Sequence, residues 1–104
     1  MSEATLTDAG GGRWVLGGVL DFTSVPQVWR SLESLLNQGG ELAVSLADVG
    51  QTNSAGLVML IEALDVARDT GCSLSLVDVP AEMLDLARLC GCEALISGTA
   101  AAGH

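Results

Sequence analysis

Lysine and tyrosine are missing from this chain, and its four basic side chains are all arginine. Against 13 Asp and Glu they leave a formal net charge of -9. A nucleic-acid binder must neutralise phosphates, and Arg13, Arg30, Arg68 and Arg88 are too scattered for a basic patch. An anionic membrane surface is disfavoured for the same reason. The acidity suits a basic protein partner and also serves plain solubility.

Cysteine and histidine are scarce too. Cys72, Cys90 and Cys92 are an odd number, which argues against a disulfide framework and for a reducing compartment. Cys90-Gly91-Cys92 is too short a spacing for the usual zinc or redox pairs, and His104 is the lone histidine. No metal or cofactor is expected, and the thiols are read as free and buried or half-buried. Catalysis is not expected either. An activated serine needs a base, and neither a lysine nor a histidine near the middle of the chain supplies one. There is no Gly-rich phosphate loop ending in Lys-Ser or Lys-Thr. No basic, apolar leader is visible, and no run of about 18 uncharged apolar residues could span a bilayer. The expectation is a cytoplasmic protein with no membrane insertion.

What is present is apolar: 49% of 104 residues, enough for one small packed domain. Ala4–Thr7 alternates weakly, as an edge strand does. Gly10–Gly12 turns the chain into a second strand, Arg13–Leu20, so a hairpin is predicted. Gly17 and Gly18 inside that strand point to a bulge or a close backbone approach. Ser24, with Gln27 three residues on, reads as a capping box for a helix carrying Pro26 in its first turn and ending near Asn37. Val25, Val28, Leu32, Leu35 and Leu36 form its apolar stripe. Trp29 lies beside the stripe, either as core edge or as a partly exposed anchor.

Glu41–Ala47 reads as a strand with Leu42, Val44 and Leu46 on one side. Ala43, Ser45 and Ala47 on the other would admit a close-packed helix. A turn from Asp48 to Ser54 then leads into the most regular helical pattern, Ala55–Thr70. Cys72–Val77 is the next strand. Asp78-Val79-Pro80 opens a third helix, which Gly91 ends, and Cys92–Ile96 reads as a last short strand. Gly98–His104 has the composition of a loose tail. Strand-helix repeats behind a hairpin predict a mixed, mainly parallel sheet, with three helices covering one face better than the other.

The turn Gly50-Gln51-Thr52-Asn53-Ser54-Ala55-Gly56 organises the rest. Thr52, Asn53 and Ser54 can each cap the helix, and the amide donors there favour an anion. Leu57, Leu60, Ile61, Leu64 and Ala67 should face the sheet, with Glu62, Asp65 and Asp69 in water. Val58 falls over the wet side, and Met59 flanks it. Either loops cover these two, or they are greasy neighbours of a polar cluster that a partner grips. Gly56 would let a partner or the preceding loop come close.

The Asp48-Val49 strand end, the short turn and Asn53-Ser54-Ala55-Gly56-Leu57 resemble the STAS domain family over about residues 5–97. That family includes anti-sigma factor antagonists, sulfate transporter tails and MlaB-type subunits of bacterial phospholipid transporters. Leu16-Gly17-Gly18-Val19-Leu20-Asp21 resembles the family's early strand. The resemblance implies a single STAS domain and puts Ser54 at the position of the phosphorylatable Ser/Thr. Asn53, Ala55 and Val19 replace the usual Asp, second hydroxyl residue and Glu. Size, Trp29 and the Leu20-Asp21 pair are most similar to the MlaB type. That resemblance implies a non-catalytic cytoplasmic subunit that binds the ATPase of a phospholipid ABC transporter. Its partner contact would include Thr52, Asn53, Ser54, Gly56, Val58 and Met59, with Trp29 and Glu62 nearby. The alternative implication is an anti-sigma factor antagonist, bound by a serine-kinase anti-sigma factor and regulated by phosphate on Ser54.

Overall fold

The computed structural model describes residues 3–96. The tail expected at Gly98–His104 lies outside them. The elements run β1 (Ala4–Gly10), β2 (Arg13–Leu20), α1 (Val25–Asn37), β3 (Gly40–Thr52), α2 (Ser54–Thr70), β4 (Cys72–Val77) and α3 (Ala81–Leu89). Among the described residues the strands form one sheet in the order β1-β2-β3-β4. The β1–β2 hairpin is antiparallel, and the β2–β3 and β3–β4 pairs are parallel. This is the mixed, mainly parallel α/β sheet expected from the strand-helix repeats.

Alternation decides which face is covered. Leu16, Leu42, Val44, Leu46 and Leu76 are buried beneath the helices, and Val28, Leu32, Leu36, Leu57 and Leu60 come down to meet them. Each such side chain contributes about 1.5–3 kcal/mol by leaving water. The small-residue side of β3 takes no helix, contrary to expectation: Ala43 and Ser45 are half-buried and Ala47 is exposed. Helix packing follows the bulkier side, where apolar area is available to bury.

Two glycines let β2 lie close to its neighbours, Gly17 against β3 and Gly18 against the start of β1. The β2–β3 pairing slips between Val15 and Gly17 and again between Gly18 and Val19, so β3 carries the extra residues of two irregularities. A Cβ on Gly17 would sit 3.0 Å from the Asp48 Cβ, and Gly18 has φ +89 with the Glu3 carbonyl oxygen 2.3 Å from where its Cβ would be. Both the bulge and the close approach expected there are present.

Three local expectations fail. Ser24 is not a capping-box residue: it makes no side-chain cap bond. It is 1% exposed. Its hydroxyl donates to the Val19 carbonyl at 2.6 Å and accepts from the Asp21 amide at 3.0 Å. Asp21 takes over the turn, its carboxylate accepting from the Thr23 and Ser24 amides. Residues 48–52 are strand rather than turn, because β2 keeps pairing with them as far as Leu20↔Thr52. Residues 93–96 are a helical turn rather than a strand. The Cys92 amide donates back to the Ala87 carbonyl at 2.8 Å, closing the end of α3 and seating Ile96 in the core.

Candidate functional site

The β3–α2 turn is fastened from three sides. Asn53 is the N-cap of α2, its side chain accepting from the Ala55 amide at 2.8 Å. Its own amide donates to the Leu20 carbonyl at 3.0 Å, tying the turn to the end of β2. The Thr52 amide donates to the Glu82 carboxylate at 3.0 Å, tying it to α3. The Thr52 hydroxyl donates to the Asn53 carbonyl at 3.1 Å. Of the three possible caps the fold uses Asn53, so Ser54 becomes the first residue of α2. Ser54 is exposed, and no described residue hydrogen-bonds its hydroxyl.

Gly56 is buried, and its missing side chain admits this chain's own residues. A Cβ would lie 2.3 Å from the Thr52 hydroxyl oxygen and 2.9 Å from the Leu20 Cβ. The last residue of β3 and the end of β2 therefore make the close approach. Met59 is 3% exposed and belongs to the core, so it cannot offer the free apolar surface that one reading of the sequence allowed. Val58 can, at 63% exposed.

Between α1 and α2 runs an open groove of about 350 Å³. Val25, Pro26 and half-buried Trp29 form the α1 wall. Ser54, Val58 and Glu62 form the α2 wall, with Ala55 and Met59 between them, and Phe22 stands at the α1 end. Phe22 is 72% exposed. The Asp21–Ser24 hydrogen bonds hold its backbone in a tight turn, and the side chain projects from it. Sequence reading placed Trp29 and Val58 here and missed Phe22 and Pro26. The available signal was a lone phenylalanine between Asp21 and a helix start, where a turn residue is ordinarily polar.

The groove is chemically poor in reactive groups. Glu62 is its one ionisable lining residue. Among the described residues no group of three or more His, Cys, Asp or Glu is placed to hold a metal. No helix there is long and apolar enough to cross a membrane. Of the thiols, Cys72 is buried and Cys92 half-buried, but Cys90 is exposed, against expectation. Burial pushes the Cys72 thiol up from its ordinary value.

A mixed sheet with its helices on one side and an exposed serine opening the central helix defines a STAS-type module. The match to the model of the MlaB-type STAS domain over residues 8–97 takes in most of the chain, which therefore belongs to that family. STAS domains are non-catalytic regulatory modules, and this chain is one. A search among curated proteins finds no match. Among solved structures the chain is similar to the anti-sigma factor antagonist SpoIIAA in its unphosphorylated form. That likeness has a TM-score of 0.66 at 14% identity, covering 86% of this chain and 82% of the other. At that identity it speaks for the fold.

Proposed function

We propose that this chain is the cytoplasmic STAS subunit of a phospholipid ABC transporter. It binds the transporter's ATPase, which is held with a membrane permease, and supports assembly and ATPase activity in maintaining outer-membrane lipid asymmetry. The observation that carries this reading is the open apolar groove next to Ser54, flanked by exposed Phe22 and Val58, on a chain of the MlaB-type family. Exposed large apolar groups gathered around a pocket favour a protein partner, because burying them there is what drives association. The contact in this reading comprises Ser54, Val58, Trp29 and Glu62 at the groove. Thr52, Asn53, Gly56 and Met59 shape it from within.

Affinity isolation of the native protein tests the reading. Recovery of an ATPase and a permease, lost with Val58→Asp but kept with Asp65→Asn on the same helix, supports it. Recovery of a soluble serine kinase instead, with phosphate on Ser54, replaces it with sigma-factor control. The exposed Ser54 hydroxyl, unbonded among the described residues, favours that second reading.

A further inference from the structure

On the other side of Ser54 lies a second depression. One wall is the turn Thr52-Asn53-Ser54; the other is α3, through Glu82, Asp85, Leu86 and Leu89. Those four recur at helical spacing and share one side of α3, while Met83 and Ala87 go to the core. An amphipathic surface helix ordinarily turns a polar residue outward at such a place. Leu89 is instead 84% exposed, the most exposed large apolar side chain among the described residues. The cleft's ionisable lining residues are both acids, Glu82 and Asp85. Arg88, on the same helix, is engaged with Asp85 and Glu93 rather than with Glu82. Glu82 is held against the turn by the Thr52 amide.

We propose that this cleft takes a cationic amphipathic segment, an Arg or Lys beside an apolar side chain, from the same partner that fills the groove. The inference rests on the docking reading above, since Ser54 borders both depressions and a partner seated on one abuts the other. Charge selects the occupant. An acidic cleft on a chain of net charge -9 repels a second copy of the chain and attracts a basic segment. Leu89 and Leu86 supply the apolar contact, and Glu82 supplies the counter-charge.

The test is the dissociation constant for the purified transporter ATPase from the same cell, measured for wild type, Val58→Asp, Leu89→Ser and Glu82→Gln. Glutamine keeps an oxygen for the Thr52 amide, so that change removes charge and leaves the turn in place. Leu89→Ser, on an exposed side chain, leaves the fold intact. The expected result is about tenfold weaker binding for Leu89→Ser. Glu82→Gln is expected to lose about three- to fivefold at low salt, a gap that closes toward about 0.5 M NaCl. If Val58→Asp weakens binding while both α3 variants bind as wild type, the cleft has no part and the inference falls alone. If Val58→Asp binds as wild type, the docking reading falls and takes this extension with it. A chain that is dimeric by sedimentation and becomes monomeric with Leu89→Ser would name a second copy as occupant and overturn the proposal.

Discussion

Ser54 separates two properties that usually travel together. It opens α2, where unpaired amides and the helix dipole welcome negative charge. Ser54→Asp should therefore leave stability unchanged or raise it by about 0.3–1 kcal/mol, read from urea denaturation. The same carboxylate sits on the rim of an apolar groove and faces the Glu82 side of the turn. A partner seated on the groove would strip water from that carboxylate against apolar side chains, a cost larger than any gain from a basic segment in the neighbouring cleft, so binding of the ATPase should fall by about tenfold. A variant that is both stable and binding-competent would remove Ser54 from the contact. Gly56 gives the opposite pattern. Alanine gains about 1 kcal/mol in helix propensity, but its Cβ meets the Leu20 Cβ at 2.9 Å, and Leu20 is wholly buried. Crowding in a packed core costs about 1–3 kcal/mol, so Gly56→Ala should lower the urea midpoint while the free groove surface is unchanged.

At the scale of elements, the turn between β3 and α2 depends on which polar residue caps. Asn53→Ala removes the bond to the Ala55 amide and should cost about 1 kcal/mol, whereas Ser54→Ala should cost under about 0.5 kcal/mol in the same urea series. Equal losses would mean that Ser54 shares the cap. The sequence alone left this choice open, because Thr, Asn and Ser cap comparably well and the selection comes from Leu20 and Glu82, far away in the chain. The hairpin, the mainly parallel pairing, the glycine irregularities and the apolar stripe of α1 were legible, since each is written in local periodicity or in glycine placement; the buried face of α2 was only half legible, because it turns toward Met59 and Ala63 and leaves Ile61 and Leu64 half-buried. The extension of β3 through Gly50 to Thr52 was not, because low strand propensity there is overridden by pairing with β2. Residues 93–96 were misread for a related reason: a short apolar run fits strand or helix, and the closure at Cys92 decides. In the candidate site, Val58 could be found from helical spacing. Phe22 could have been suspected from its turn position before a helix, but its outward projection depends on hydrogen bonds made by its neighbours Asp21 and Ser24.

Charge acts on the whole molecule. Two of the four arginines are committed locally, Arg68 to Asp65 and Arg88 to Asp85 and Glu93, and these exposed, solvent-screened pairs add little to stability. The remaining carboxylates repel one another across a small body with a radius of gyration of 12.3 Å. Its extents of 30 × 29 × 22 Å exceed the Debye length of about 10 Å at 0.1 M salt and match the roughly 30 Å of 0.01 M, so most of the repulsion is screened by ordinary buffers and little of it in dilute ones. Raising NaCl from about 0.01 to 0.3 M should therefore increase the melting temperature of the isolated chain, by a few degrees for a domain of this size. Association with a basic partner should respond with the opposite sign. The same salt that relieves self-repulsion weakens steering, so the on-rate should fall across that range while the off-rate changes less. Stopped-flow association and thermal melts in one salt series measure both. An on-rate indifferent to salt would mean that the acidity serves solubility and leaves recognition to the apolar groove.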